Sequence, residues 1–248
     1  AGIWPDDHEG FLDSRGFYAG KTASDGTNRY IWGWCPTRSG NDNTAVGASP
    51  NEPEWAGSLV AHKIIQHEDG TLSLGLIEGI SRKYTTGSSV KVMEKSNGVS
   101  ESNDSYTLTD NAYVLFNRLN VCNKISFTVK TASNAEKFGF SLVRGIDSKK
   151  YYTIVVNPED NNNKRKINFE EEGDEGKGFI DGIDGYLFPT PSDNVYNVTI
   201  CTDNSICVVY INDNVAYTNR IYGMQKNPWS INSYSGSVEV SNVKVSYY

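Results

Sequence analysis

Tyr196-Asn197-Val198-Thr199-Ile200-Cys201-Thr202-Asp203-Asn204-Ser205-Ile206-Cys207-Val208-Val209-Tyr210-Ile211 reads as two strands and the turn between them. Tyr196, Val198 and Ile200 recur every second residue, the period at which side chains share one face of a strand. Asp203-Asn204-Ser205 is turn chemistry, and Ile206, Val208 and Tyr210 form the return strand with Val209 and Ile211 on its other face. A second turn, Asn212-Asp213-Asn214, leads into Val215 to Tyr217.

The same period recurs on both sides of this hairpin. Ile125, Phe127 and Val129 alternate with Lys124, Ser126, Thr128 and Lys130; Phe138, Phe140 and Leu142 follow, then Tyr152, Ile154 and Val156. The chain closes on Val238, Val240, Val243, Val245 and Tyr247. Helical periodicity is nearly absent. Many short strands separated by polar turns predict an all-β fold, an antiparallel two-sheet β-sandwich of the jelly-roll, lectin- or glucanase-like kind.

The first 80 residues differ. They carry Trp4, Trp32, Trp34 and Trp55, with a strand over Arg29 to Trp34 and an apolar stretch from Leu59 to Ile65 that ends at the turn pair Asp69-Gly70 before Leu72 and Leu74. This is too little to form a domain without support. Ser81 to Leu108 reads as a crossover between the two parts. Asn157 to Asp193 reads as irregular, and its acidic run Glu170-Glu171-Glu172 as a solvated loop or exposed strand.

Composition narrows the function classes. Of 248 residues, 23 are Lys or Arg and 30 are Asp or Glu, and the net charge of -7 argues against nucleic acid and against anionic membrane surfaces. No run approaches the roughly 18 apolar residues of a membrane-spanning helix, so no membrane insertion is expected. No signal peptide is visible at Ala1. The four cysteines, Cys35, Cys122, Cys201 and Cys207, contain no CxxC pair, which argues against structural zinc. Cys201 and Cys207 either face each other across the hairpin or are two semi-buried thiols.

Local clusters admit two readings each. Asp6, Asp7, His8 and Glu9 are a sugar-contacting rim or a solvated N-terminal segment. Trp32 and Trp34 share a strand parity and, with Trp55, are a packing surface or a platform for the apolar C–H faces of sugars. Trp229, beside Pro228, reads as a loop residue open to both uses. His62 and His67, five apart, point to opposite faces of a regular strand, which argues against a shared metal. Asp181-Gly182-Ile183-Asp184-Gly185 lacks the ligand alternation of a calcium loop. No metal or cofactor is expected, and no Ser/His/Asp constellation assembles.

Two stretches resemble the family-32 glycoside hydrolases, the invertase, levanase and inulinase group. Asp13-Ser14-Arg15-Gly16-Phe17-Tyr18-Ala19, Arg29-Tyr30-Ile31-Trp32-Gly33-Trp34 and Trp55-Ala56-Gly57-Ser58-Leu59 are similar to the end of that family's five-bladed propeller. Glu68-Asp69-Gly70-Thr71-Leu72 resembles its Asp-Gly-x-Leu hairpin. Asp203 to Asn212, and then Asn219-Arg220-Ile221-Tyr222, resemble a hairpin of its C-terminal sandwich and the Ser-Arg-Ile-Tyr that follows, with Val208 where the family usually carries Glu. The resemblance implies residues 1–80 as the last blade or a remnant of the propeller, and residues 81–248 as the sandwich. It places Asp13 and Tyr18 near the family's sugar-binding funnel, making Asp13, Tyr18, Trp32, Trp34 and Trp55 the candidate substrate contacts.

The family's catalytic stretches, Asn-Asp-Pro-Asn-Gly, Arg-Asp-Pro and Glu-Cys, do not occur in this chain. A retaining glycosidase needs two carboxyls about 5 Å apart flanking the scissile bond. No catalytic residue is therefore assigned. The expectation is a carbohydrate-associated accessory module of a fructan or sucrose hydrolase, partnered by an N-terminal propeller part of the same protein. The alternatives are a fragment of an active β-fructosidase and a stand-alone lectin-like binder of polysaccharide. The expected location is secreted, periplasmic or cell-surface.

Overall fold

The computed structural model describes residues 12–14, 16–37, 56–133, 136–142, 150–158, 167–173 and 190–248. Trp4, Asp6 to Glu9, Trp55, Asn161 to Asn163 and Asp181 to Gly185 lie outside them. The described chain is nearly all β, with one short helix, α1 (Glu78–Ser81).

Four strands form the first sheet in chain order, all antiparallel: β1 (Tyr18–Ser24), β2 (Arg29–Pro36), β3 (Gly57–Gln66) and β4 (Leu72–Gly75). The Asp69-Gly70 turn joins the last two. Gly70 takes φ 87, and the Asp69 carboxylate accepts the backbone N–H of Thr71 at 2.9 Å and its hydroxyl at 2.7 Å.

The remaining strands build a sandwich. One sheet runs in the order β16 (Val215–Arg220), β15 (Ile206–Ile211), β14 (Val195–Asp203), β10 (Cys122–Thr131), β18 (Ser237–Tyr247), β8 (Ser105–Thr109) and β7 (Val99–Ser102), with β5 (Thr86–Ser88) also on β18. The facing sheet runs β13 (Ile167–Gly173), β12 (Lys150–Val156), β11 (Phe138–Leu142), β17 (Trp229–Ser233), β9 (Tyr113–Phe116) and β6 (Val92–Lys95). The alternating residues meet between them: Ile125, Phe127, Val129, Tyr196, Val198 and Ile200 from one side, Phe138, Phe140, Leu142, Ile154 and Val156 from the other.

β18 changes phase part-way. Val238 and Val240 share a parity that Val243 and Val245 do not. The register against β10 shifts by one residue between Ser126 and Thr128, and Asn242 takes φ 56. The extra residue is a β-bulge, which returns Val245 to the core face.

Three expectations are corrected. Ser81 to Leu108 is no crossover: it contains β5, β6, β7 and most of β8, and the β7–β8 hairpin turns through Asn103 and Asp104 with φ 49 and 59, the pair of positive φ angles a tight hairpin requires. Trp229 is not in a loop. It lies in β17, fully buried, stacked on Phe116 at 4.5 Å between ring centroids and tilted against Phe140 at 5.7 Å. Asn157 to Asp193 is not irregular throughout: Ile167–Gly173 is β13, paired with β12, and of the two readings of Glu170-Glu171-Glu172 the strand holds.

Cys201 and Cys207 cannot face each other. In the hairpin register Cys201 pairs with Val208 and Cys207 with Thr202, so their side chains leave opposite faces. Cys207 packs in the sandwich core and Cys201 on the sheet's outer side. All four cysteines are thiols. Burial raises Cys201 from 9.0 to about 12 and raises Cys207 as well. The folded state thus favours the protonated thiols. Their contribution to stability is complete below the unfolded value of 9.0 and is lost as pH climbs from there toward about 12. The buried Tyr84, Tyr196 and Tyr210 phenols are raised by burial too and act with the same sign. Thermal melts should therefore fall steadily above about pH 9, and iodoacetamide at about pH 8 should modify the partly exposed Cys122 first in the native protein.

Candidate functional site

β15 is buried on both faces, which its unbroken apolar run Ile206 to Ile211 requires. Cys207, Val209 and Ile211 point into the sandwich, while Val208 and Tyr210 point outward. The four-stranded sheet covers that outer side, adding Ile31, Cys35, Val60 and Leu74 to a second apolar core with Tyr84, Cys201, Val208, Tyr210 and Ala216. The inward positions of β2 are Ile31, Gly33 and Cys35, so Tyr30, Trp32 and Trp34 face away.

Polar groups cross this seam. Asp13, only 5% exposed, lies just before β1 and reaches β16: Oδ1 accepts the backbone N–H of Thr218 at 2.6 Å and of Ser14 at 2.5 Å, and Oδ2 accepts the Thr218 hydroxyl at 2.5 Å. His62 of β3 sits beside it, with Nε2 2.9 Å from Asp13 Oδ2, a close electrostatic contact off the line of an ideal hydrogen bond. Its Nδ1 is 2.9 Å from the Tyr210 hydroxyl. A carboxylate only accepts, so the imidazole hydrogen belongs on Nε2, and in the neutral ring Nδ1 then accepts from Tyr210. The Ser14 hydroxyl donates to the Thr218 carbonyl and accepts from the Gly16 N–H at 2.9 Å. Gly16 must be glycine there: a Cβ would stand 2.2 Å from the Thr218 carbonyl oxygen. Asp13, Ser14 and Gly16 thus attach the sheet to β16.

Arg220, the last residue of β16 and 3% exposed, closes the seam. Its guanidinium donates to the carbonyls of Pro36 (3.0 Å) and Cys35 (2.5 Å), to the Ser205 hydroxyl (2.8 Å) and, at 3.4 Å, to Ser58. The planar fork suits this spread of acceptors in a way an ammonium cannot. A third link joins β4 to the turn after β15, where the Ser73 hydroxyl donates to the Asp213 carbonyl at 2.8 Å. Arg220, Thr218 and Ser73 carried no functional signal of their own. Their partners across the seam lie 140 or more residues away in sequence.

The open face of the four-stranded sheet is aromatic. Tyr18 is 49% and Trp32 40% exposed, with Leu59 more exposed still. Tyr18 meets Trp34 edge-on at 5.1 Å, and Tyr30 meets Trp32 at 6.4 Å. Asp25, in the β1–β2 turn, holds Tyr30 by its hydroxyl at 2.7 Å and accepts the backbone N–H groups of Asn28 and Thr27. These bonds, led by that from Asn28, keep its carboxyl far below the usual carboxylate range. Trp34 Nε1 is buried with no hydrogen-bond partner among the described residues. Of the five candidate contacts, the structure groups Tyr18, Trp32 and Trp34 on this face, sets Asp13 in the seam behind it, and leaves Trp55 outside the described residues. His67 bonds to Ser73 at 2.8 Å while His62 serves the seam, and no cluster of three metal-ligating side chains forms among the described residues.

Residues 70–245 match the family model described as GH32, BT1760-like, C-terminal domain. No curated protein matches by sequence. Among solved structures, the exo-inulinase of Aspergillus awamori is similar at a TM-score of 0.60 and 15% identity, over 96% of this chain and 44% of its own. A beta-fructofuranosidase of Aspergillus kawachii complexed with glycerol gives 0.58 at 16% identity, over 96% and 47%. A Bombyx mori GH32 beta-fructofuranosidase gives 0.55 at 15%, over 95% and 41%. At these identities the likeness shows the fold, and the chain spans less than half the length of these structures.

Proposed function

The chain belongs to the GH32 family as a BT1760-like C-terminal domain, and from that premise we propose that it is the non-catalytic buttress of a fructan- or sucrose-cleaving hydrolase. In this reading residues 1–80 are the last blade of a five-bladed propeller and residues 81–248 the sandwich that holds it. The preceding blades belong to the N-terminal part of the same protein. One observation carries the reading: the four-stranded sheet is joined to β16 by Asp13 and Arg220 and to β15 by His62, side chains buried among partners from both sides. A buried polar network of this kind sets one relative orientation, because any other leaves charges and carbonyls unpaired.

The exposed Tyr18, Trp32 and Leu59 are then the surface the neighbouring blade covers. A second reading, sugar stacking on Tyr18, Trp32, Trp34 and Trp55, is favoured by the exposed rings of Tyr18 and Trp32 on one face of the sheet. A protein acting on fructan polymers belongs outside the cytoplasm, whether secreted, periplasmic or on the cell surface.

Incubation with sucrose, inulin and levan, followed by calorimetric titration with the same sugars, tests both readings. The buttress reading expects no fructose release and no heat at the aromatic face. Fructose release by the chain contradicts it. Saturable heat that disappears in Trp32→Ala transfers the face to the sugar-stacking reading.

A further inference from the structure

A groove of about 510 Å³ lies on the outer side of the eight-stranded sheet, away from the aromatic face, between β14, the turn after β15 and the α1 segment. Its volume is within the range of small-ligand sites, roughly 300–1,000 Å³. Leu76 and the Tyr210 ring supply its apolar surface. Parity builds the wall: Tyr196, Val198 and Ile200 point into the sandwich, so Asn197 and Thr199 point out.

The groove is held in shape by Asn212. Its Oδ1 accepts the Asn197 backbone N–H at 2.7 Å and its Nδ2 donates to the Val195 carbonyl at 3.0 Å. Other groups on the lining are uncommitted. Asn197 uses its carbonyl oxygen on Thr128 at 3.1 Å, leaving the amide hydrogens. Asp193 uses Oδ1 on the Val195 N–H at 3.1 Å, leaving Oδ2. The Thr199 hydroxyl and the Asp213 carboxylate have no side-chain partner among the described residues. Glu78 is occupied by Arg82.

These groups select a ligand class. An anion is disfavoured by Asp193 and Asp213 on one lining, and by the chain's net charge of -7. A metal ion is disfavoured because no three acidic, imidazole or thiol groups converge among the described residues. What remains is a neutral ligand rich in hydroxyl groups, each able to donate to a carboxylate and accept from an amide or Thr199. The geometry points to a binding site for a neutral saccharide in the groove lined by Asn197, Thr199, Asp193 and Asp213. It rests on the groove's chemistry and not on the buttress role.

The test is ¹⁵N-resolved NMR of the whole chain with sucrose, 1-kestose, glucuronate or calcium chloride. Small open sites of this kind bind at roughly millimolar Kd, so titration to about 50 mM is decisive. Saturable shifts of the Asn197, Thr199 and Asp213 amides with a neutral sugar, and none with glucuronate, are expected. Thr199→Val with Asp213→Asn should weaken binding about tenfold or more at an unchanged melting temperature. Asn tolerates the φ of 50 at position 213, so the turn survives. No shift with either sugar, shifts confined to Tyr18, Trp32 and Trp34, or shifts caused by calcium instead each overturn the proposal. The buttress reading is judged separately, by the melting of Asp13→Ala.

Discussion

Asp13→Ala should destabilise the chain by about 3–5 kcal/mol, because several buried donors lose their acceptor at once, at roughly 1–3 kcal/mol each. The loss has identifiable parts. The Thr218 N–H, buried under the four-stranded sheet, loses its acceptor, and so does the Thr218 hydroxyl. His62 Nε2, fully enclosed, is left facing a void. At roughly 2–4 °C per kcal/mol for a chain of this size, the melting temperature should drop by about 10 °C. The pattern matters more than the size. Asp13 touches nothing inside the sandwich, so the sheet should loosen first while the sandwich core stays folded. Tyr18 and Trp32 fluorescence should therefore change at lower temperature than near-ultraviolet signals from Trp229.

Trp229→Ala should cost a similar amount, about 3–5 kcal/mol, with the opposite pattern. Trp229 fills the sandwich between Phe116 and Phe140, and no small side chain can occupy that volume. The cavity destabilises the layer on which the four-stranded sheet depends. Both parts should then melt together at the lowered temperature, as calorimetry or circular dichroism would record. A Trp229→Ala protein in which the first sheet alone was lost would contradict this order of dependence.

The contrast explains what was legible in the sequence. Strands buried on one face announced themselves by alternation, as in Ile125 to Val129. The double burial of β15 was written in its unbroken apolar run. Even the β18 bulge is visible as the three-residue step from Val240 to Val243. The strands between Ser81 and Leu108 were hidden for a physical reason: they are short and largely solvent-facing, so Val99-Ser100-Glu101-Ser102 has no apolar rhythm to read. Its signal was the turn pair Asn103-Asp104. Trp229 was misplaced because Pro228 suggested a loop, whereas Phe116 and Phe140, remote in sequence, determine its setting.

The seam was the least legible part. Its chemistry is assembled across 205 residues between Asp13 and Thr218, and 184 between Pro36 and Arg220. No local spacing encodes such pairs. The Asp13 and Arg220 motifs were recognisable as family resemblance, but the resemblance did not show that they meet on the same strand. That meeting turns a sheet with too little core of its own into part of one folded unit.

Differential scanning calorimetry of the wild-type chain beside Asp13→Ala tests this unity most directly. The account predicts one wild-type transition whose calorimetric and van't Hoff enthalpies agree, as all-or-none unfolding requires. It predicts that Asp13→Ala splits this into an early transition for the sheet and a later one for the sandwich. Two separate transitions already present in the wild type, at temperatures that Asp13→Ala does not move, would contradict it.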